Sequence, residues 1–266
     1  MARRRLGFWR RLVVILVKPV LTGWTKRTWT GMAHIPATGG AIIVANHLSH
    51  ADPVVIGHYL YDAGRWPSFL AKASVFRAPV VGYIISRCHQ IPVERGSVDA
   101  ARSLDTLVAA VKDGSSVIIY PEGTTSKEPD LWPMKGKTGA ARLALITGAP
   151  VIPIVMDGPQ ALFDPRTKKV GLRPRIPVRV HAGEAIDLGK WAGAAPTRHT
   201  LDAMTDEIML HLRDMLADLR GVTDPPPLWS PPRQRKESTP AAETATPAAE
   251  TPTPAAETPT PTGEQA

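Results

Sequence analysis

The chain has 266 residues and a formal net charge of +8, a length that allows one substantial folded core. Its single cysteine, Cys88, excludes an internal disulfide framework. The basic excess suits an anionic membrane, a phosphorylated substrate or nucleic acid, and composition alone does not choose among the three.

The first thirty residues carry eight basic side chains and no acidic ones around the apolar run Leu12–Val17. This run is far shorter than the roughly 20 residues that cross a bilayer. Basic and aromatic residues around a short apolar strip are typical of a helix in the headgroup region, so we interpret residues 1–30 as a basic amphipathic membrane-associating segment. An ordinary first helix packed on the core is the alternative. An export signal is disfavoured because Lys26 and Arg27 follow the run closely.

Short apolar runs alternate with helical patterns through the middle of the chain, which predicts an α/β fold with a mixed, largely parallel sheet flanked by helices. The runs are Ala41–Ala45, Ser116–Tyr120 and Val151–Val155. A helix is predicted over residues 138–146, ending near Gly148. In open α/β sheets ligands bind beyond the carboxyl ends of the strands. We therefore expect Asn46–Asp52 and Pro121–Ser126 to face the same cleft.

Towards the carboxyl end, residues 178–181 predict a late strand and residues 200–220 a closing amphipathic helix. The apolar face of this helix comprises Leu201, Met204, Ile208, Leu212, Met215 and Leu219. From residue 222 the chain is rich in Pro, Thr, Ala and Glu, so we predict a disordered tail over residues 222–266. Without the tail's three basic and six acidic residues, 29 basic residues face 18 acidic ones, a net charge of +11.

His47 and Asp52 follow the first apolar run. Residues five apart in a regular helix point about 140° away from each other and do not meet. Pro53 disfavours helical backbone at Asp52 and suits a first helical position, so we expect Asp52 at the helix cap and His47 folded back towards it. A carboxylate on one imidazole nitrogen leaves the other nitrogen as a base for an alcohol. The alternative is that Asp52 only caps the helix and His47 is an ordinary loop histidine, with no catalytic role for either.

Two other kinds of site use these residue types. His47, His50 and Asp52 do not have the HExxH spacing of a metal site, and no matching His or Cys cluster follows. Ser49 is not within a G-x-S-x-G nucleophile elbow. Without a protein nucleophile, direct transfer between two bound substrates is the simpler reaction.

Four blocks in chain order resemble the 1-acylglycerol-3-phosphate acyltransferase family, the PlsC-type glycerolipid acyltransferases. The blocks are Asn46–Asp52, Val93–Gly96, Pro121–Thr124 and Ala149–Pro153. The resemblance covers residues 31–155, and the order of all four blocks makes it specific. Residues 130–134 and 136–139 resemble the actinobacterial branch of the family. The resemblance implies an acyltransferase domain over residues 31–221.

The resemblance also implies a role for each matching residue. His47 would be the general base on the acceptor hydroxyl, oriented by Asp52. Arg95 would hold the acceptor phosphate, a role that suits a guanidinium group. The other implied substrate-binding residues are Asn46, Lys72, Glu122, Gly123 and Thr124.

The implied reaction transfers a fatty acyl group from acyl-CoA or acyl carrier protein to lysophosphatidate, giving phosphatidic acid in phospholipid biosynthesis, without a metal or organic cofactor. The implied location is the cytoplasmic face of the cell membrane, peripheral or monotopic, with membrane lipids as partners. Nucleic acid is not expected as a partner, because no binding module is recognisable. Glycerol-3-phosphate or a glycolipid as acceptor, and a non-catalytic membrane-binding homologue, are the alternatives.

One position departs from the family pattern. Many relatives have an arginine directly after the threonine of the third block, and here that position is Thr125. Phosphate binding then lacks one cation, and Lys127, Lys135 and Lys137 are the candidates to replace it.

Overall fold

Seven strands form one sheet in the computed structural model, which describes residues 7–93 and 100–230. They are β1 (Thr25–Thr30), β2 (Ala41–Ala45), β3 (Pro67–Lys72), β4 (Ile91–Val93), β5 (Ser116–Ile119), β6 (Val151–Asp157) and β7 (Ile176–Ala182). The strand order is β1-β7-β6-β2-β5-β3-β4. Neighbouring strands are parallel except β6 and β7. The predicted mixed, largely parallel sheet is confirmed.

Helices cover both faces of this sheet. They are α1 (Phe8–Trp24), α2 (Asp52–Asp62), α3 (Ala73–Phe76), α4 (Pro79–Arg87), α5 (Ala100–Lys112), α6 (Gly139–Thr147), α7 (Pro159–Leu162) and α8 (Arg198–Arg220). Alternate residues of β2 point to opposite faces, so Ile42 packs in the core with α5, α6 and α8, and Ile43 packs in the core with α2. Residues of β2 are buried throughout, as expected for a central strand with helices on both sides.

The predicted inner strands and both predicted helices are present within a few residues of their expected bounds. On α8, Leu201, Met204, Ile208 and Leu212 are buried, as predicted, whereas Met215 and Leu219 are only partly buried against the core. The apolar periodicity of this helix therefore identified its core-facing side.

The predicted membrane-associating segment, residues 1–30, extends too far along the chain. Residues 25–30 are not part of a membrane helix but form β1, which pairs in parallel with β7 at the edge of the sheet. Thr, Lys and Arg dominate this strand, so it lacks the apolar run that marks the inner strands. The edge position of β1 explains its polar composition. Burial alternates along the strand, so the side chains on one side face water.

The predicted disordered tail also began too early. Trp229 forms a parallel β-bridge with Met134, and the Lys135 amide donates to the Trp229 carbonyl over 2.8 Å. Leu228 packs against the core. These two apolar residues interrupt the Pro-rich composition, which explains why the segment up to residue 230 lies against the body. The repeats after residue 230 lie outside the described residues.

Candidate active site

Two predicted segments meet where β2 and β5 end. β2 and β5 are parallel neighbours, so their carboxyl ends lie at the same edge of the sheet. The Ser126 amide donates to the His47 carbonyl over 2.7 Å, which fastens the loop after β5 to the loop after β2. The expectation that Asn46–Asp52 and Pro121–Ser126 share one cleft is confirmed.

His47 and Asp52 form a hydrogen-bonded pair. His47 Nδ1 lies 2.8 Å from Asp52 Oδ2, and the Asp52 carboxylate is fully buried whereas the imidazole is 15% exposed. With Nδ1 bound to the carboxylate, the bond fixes the ring orientation and leaves Nε2 without a hydrogen-bond partner among residues 7–93 and 100–230. The geometry is that of a general base held by an acid.

The turn before α2 brings the pair together in a different way from the prediction. Asp52 is not the cap but the first residue of α2, and Ala51 occupies the cap position with helical backbone angles. The Asp52 amide donates to the Ser49 carbonyl over 3.1 Å, so a turn already precedes the helix. Pro53 then stands second in the helix, where no intrahelical donor is needed.

Asp52 Oδ2 accepts two further hydrogen bonds, from the amides of Leu48 at 2.6 Å and Ser49 at 2.9 Å. Its other oxygen, Oδ1, is buried and has no hydrogen-bond partner within the described residues. Burial raises the pKa of Asp52, and the bonds from His47, Ser49 and Leu48 oppose that shift. The loop backbone thus holds the carboxylate against the imidazole, which is what orienting a base requires.

Tyr120 is a site residue that the sequence interpretation treated only as part of a strand. Its ring stacks on His47 with centroids 4.2 Å apart and planes inclined by 19°. Burial and the nearby Asp52 carboxylate raise the pKa of Tyr120 well above its ordinary value, so the phenol stays neutral. The sequence signal that could have identified Tyr120 as a site residue is its position at the end of a predicted strand, directly before Pro121.

Glu122 binds the protein backbone and not the open cleft. Its Oε1 accepts from the His47 amide at 3.0 Å, and its Oε2 accepts from the Met134 amide at 3.2 Å. The residue is buried. Both carboxyl oxygens join the His47 loop to the loop at Met134, and the implied role of Glu122 in substrate binding stays a prediction.

Burial raises the pKa of Glu122 to about 8, although the amides of His47 and Met134 lower it, and nearby Asp52 raises it further. A carboxyl group with this pKa is mainly protonated at neutral pH. Glu122 therefore places no full negative charge beside the Asp52 carboxylate.

The Asn46 side chain also binds the protein backbone. Its Nδ2 donates to the Met156 carbonyl at 2.9 Å and its Oδ1 accepts from the Met156 amide at 2.8 Å. The side chain is buried and extends the pairing of β2 with β6 by one step. The Asn46 amide group therefore joins β2 to β6 through the Met156 backbone, and its implied role in substrate binding stays a prediction.

Gly123 and Thr124 are exposed at the mouth of the site. Gly123 has φ of 71°, a left-handed conformation that favours glycine. A Cβ at this position would lie 2.7 Å from Lys137 Nζ, so the lysine side chain lies across the glycine. Within the described residues, the Lys137 ammonium has no hydrogen-bond or ion-pair partner, and its backbone amide donates to the Pro121 carbonyl at 2.8 Å.

Two implied phosphate-binding residues are not placed at this site. Arg95 lies outside the described residues, as does the rest of its block after Val93. The backbone of Lys72 ends β3, but its side chain is also outside the described part of the structure. Their roles stay predictions.

An apolar groove begins beside the His47–Asp52 pair. It has a volume of about 510 Å³ and is formed by α1, α2, β3 and α4, a size typical of ligand pockets. Pro53 and Val54, directly after Asp52, line it together with Gly57 and Phe69. The lining of the whole groove comes from four separate elements, so no local sequence pattern indicated it.

Comparison with known proteins gives consistent matches. A family model described as Acyltransferase matches residues 26–157. A 1-acyl-sn-glycerol-3-phosphate acyltransferase of Borreliella burgdorferi is 28% identical over 187 residues, covering 70% of this chain and 71% of that protein. The Bacillus subtilis protein of the same name is 26% identical over 189 residues, covering 68% of this chain and 84% of that protein.

A chloroplastic protein of the same name from Brassica napus is 34% identical over 132 residues, but the chain spans only 36% of its length. Among solved structures, the PlsC 1-acyl-sn-glycerophosphate acyltransferase of Thermotoga maritima aligns with a TM-score of 0.58 and 22% identity. The alignment covers 83% of this chain and 81% of the other. At this identity the likeness shows a shared fold.

Proposed function

This chain belongs to the acyltransferase family, and we propose that it transfers a fatty acyl group from acyl-CoA or acyl carrier protein to the free hydroxyl of 1-acyl-sn-glycerol-3-phosphate. The product is phosphatidic acid, an intermediate of phospholipid biosynthesis. The hydrogen bond of 2.8 Å between His47 Nδ1 and the buried Asp52 carboxylate carries the proposal. Assignment to the actinobacterial branch stays a prediction.

In the proposed mechanism His47 Nε2 takes the proton of the acceptor hydroxyl. The hydroxyl oxygen forms a bond to the thioester carbonyl carbon, and the carbonyl oxygen takes up the negative charge. Collapse of this intermediate breaks the carbon–sulfur bond, and the leaving thiolate receives the proton from the His47 imidazolium. Asp52 stabilises the imidazolium that forms between these steps.

We place the donor acyl chain in the apolar groove, because the groove begins at the residue after Asp52 and its lining is almost entirely apolar. Burial of a fatty chain there is favourable through the hydrophobic effect, at roughly 0.8 kcal/mol per methylene. The length of the groove then limits the length of the accepted chain.

Gly57 offers a test of this placement, because it faces the groove from α2. A Cβ at Gly57 would lie 3.5 Å from two Phe69 ring atoms, an ordinary contact. Gly57→Ala should therefore keep the donor preference, whereas Gly57→Leu should lower kcat/KM for hexadecanoyl-CoA by at least about tenfold and leave octanoyl-CoA little affected. Equal losses for both donors, measured by product formation, would contradict the placement.

We assign the missing phosphate-binding cation to Lys137. Its side chain lies across Gly123 of the third block, next to Glu122, which binds the His47 amide. An ammonium without a protein partner is available for a phosphate oxygen.

Lys137→Ala is expected to raise KM for lysophosphatidate about 10- to 100-fold, the range for losing a hydrogen bond to a charged group, with little change in kcat. Lys135→Ala is the matched control and should resemble the wild-type enzyme. Adding Thr125→Arg to Lys137→Ala should recover part of the affinity by restoring the family cation. Indistinguishable KM values for the two lysine variants would remove Lys137 from phosphate binding.

We further propose that α1 lies on the membrane surface. One side of α1 lines the groove, and its other side exposes Phe8, Ile15, Leu16 and Val20. No described helix is long and apolar enough to cross a bilayer. Apolar residues exposed beside Arg10, Arg11 and Lys18 suit a helix embedded among lipid headgroups. The cytoplasmic face is the proposed side.

The deciding experiment offers purified protein radiolabelled acyl-CoA with lysophosphatidate or glycerol-3-phosphate in separate reactions. Labelled phosphatidate that depends on His47 supports the proposal. Transfer to glycerol-3-phosphate alone keeps the chemistry and changes the acceptor. No transfer to either acceptor, with acyl carrier protein also tested as donor, rejects the proposed reaction and favours a glycolipid acceptor or a non-catalytic homologue.

A further inference from the structure

The connection between β6 and β7 contains a strongly basic hairpin, residues 164–175. Five cations lie within it, Arg166, Lys168, Lys169, Arg173 and Arg175. Its one acidic residue, Asp164, accepts hydrogen bonds from the amides of Arg166 and Thr167, both at 2.8 Å. The carboxylate therefore binds the backbone of the hairpin, and within the described residues it forms no ion pair with the hairpin's lysines or arginines. The surface of the hairpin is left with a large positive excess.

Large apolar side chains are exposed between these cations. Leu172 is 87% exposed and Val170 is 50% exposed. A single exposed leucine on a protein surface needs no explanation. Two aliphatic residues flanked on both sides by lysine and arginine are different. Water is a poor environment for the aliphatic side chains, and an uncharged apolar partner is a poor environment for the lysines and arginines.

Hydrogen bonds hold the hairpin in this conformation. Phe163 and Val170 form an antiparallel bridge, and the Asp164 amide donates to the Lys169 carbonyl at 2.9 Å. An Arg166 guanidinium nitrogen donates to the Glu128 carbonyl at 2.9 Å, which fastens the hairpin to the loop after β5. The Gly171 amide donates to the Leu162 carbonyl at 2.9 Å, so the backbone next to the exposed Leu172 is also held by the fold.

The hairpin borders the catalytic loop. Ser49 Oγ donates to the Phe163 carbonyl at 2.6 Å, and Lys168 Nζ lies 3.3 Å from His50 Nε2. Both serine and histidine lie between His47 and Asp52. A surface bound by the hairpin is therefore brought close to the mouth of the active site.

The hairpin also adjoins the end of α1. The Trp24 indole nitrogen donates to the Gly171 carbonyl at 2.7 Å, so the residue before Leu172 is bonded to the last residue of the proposed membrane helix. β1 and β7, which follow α1 and the hairpin, begin as a parallel pair at Thr25 and Ile176. The hairpin continues the apolar and basic surface that α1 exposes.

We propose that residues 164–175 are a second membrane contact, which inserts Leu172 and Val170 at the headgroup–acyl boundary and binds the phosphates of anionic lipids through its lysines and arginines. Cations around an apolar tip match the chemistry of an anionic lipid surface, which offers negative headgroups above hydrocarbon. An acidic protein partner would use the cations but would leave the aliphatic tip unexplained. This inference extends the proposed membrane association and is independent of the acyl-transfer step.

Partition of the full-length protein into phosphatidylglycerol vesicles tests the charges. The double variant Lys169→Gln/Arg173→Gln should bind about 10- to 30-fold more weakly at low salt, from roughly fivefold per charge. The control Lys190→Gln/Arg198→Gln removes the same charge from exposed residues elsewhere and should bind like the wild-type protein. Equal partition of the two double variants would overturn the proposal. So would unchanged vesicle binding combined with lost binding to acidic acyl carrier protein.

A fluorescent reporter tests insertion of the tip. The single native cysteine is buried, so Leu172→Cys provides one accessible thiol for an environment-sensitive dye. Its emission should shift to the blue when phosphatidylglycerol vesicles are added, whereas dye on Leu210→Cys, an exposed position on α8, should not respond. Unshifted emission at position 172 on vesicles that bind the protein would refute insertion. Wild-type protein that ignores vesicles altogether would refute both membrane contacts and leave the acyl-transfer proposal standing.

Discussion

Acyl transfer by the His47→Ala variant is expected to fall by at least about 10³-fold, within the range that general-base catalysis contributes. His47 Nε2 is the nitrogen left unbonded by the pair, and alanine provides no group to take the hydroxyl proton. The variant should still fold, because the imidazole is partly exposed and Asp52 Oδ2 still accepts hydrogen bonds from the Leu48 and Ser49 amides. The measurement is kcat with radiolabelled acyl-CoA and lysophosphatidate, alongside a thermal melt.

His199→Ala is the matched control, since this histidine is exposed at the start of α8. It should keep wild-type turnover and melting temperature. A His47→Ala variant that retains a tenth of the wild-type kcat would exclude His47 as the general base.

Asp52→Asn should lower kcat by about 10³- to 10⁴-fold, since neutralising the acid of a hydrolase triad costs about 10⁴-fold. The amide has nearly the shape of the carboxylate and still accepts from the Leu48 and Ser49 amides. It lacks the negative charge that stabilises the His47 imidazolium. The amide NH₂ would replace Oδ1, which is buried without a partner among the described residues, so a loss of about 1–3 kcal/mol in stability is also expected.

Asp62→Asn, at the other end of α2, is the control, because Asp62 pairs with Lys18 on the surface. It should leave kcat unchanged. Urea unfolding of both variants separates the loss of chemistry from the loss of folded protein. If the decrease in kcat of Asp52→Asn equals the decrease in folded fraction, Asp52 has only a structural role.

A double variant tests whether the two residues act as one unit. Since Asp52 acts through His47, His47→Ala/Asp52→Asn should be no slower than His47→Ala alone. If the fold-loss in kcat of the double variant equals the product of the two single losses, Asp52 serves catalysis by a route other than the imidazole.

The inner part of the fold was predictable because its signals are local. β2, β5 and β6 are continuous apolar runs, and such runs are what a strand buried on both faces requires. The edge strand β1 was missed for the complementary reason. One side of it faces water, so its composition resembles that of an exposed segment.

Residue identity alone did not reveal what Glu122 and Asn46 do. The family resemblance implied that both contact the substrate. In the structure, two backbone amides occupy the Glu122 carboxyl group, and the Met156 backbone occupies the Asn46 amide group. The hydrogen-bond partners of a polar side chain depend on which loops become neighbours, and this depends on contacts between residues far apart in the chain.

The sequence by itself determined the α/β class, the strands β2, β5 and β6 and the position of the His47–Asp52 pair, because each rests on apolar periodicity or on short spacing. Only the tertiary structure decided that Tyr120 stacks on His47, that Lys137 lies across Gly123, and that α1, α2, β3 and α4 enclose an apolar groove. Side chains distant in sequence meet only when packing fixes the loops and helices around the sheet, and that packing minimises exposed apolar area over the whole chain.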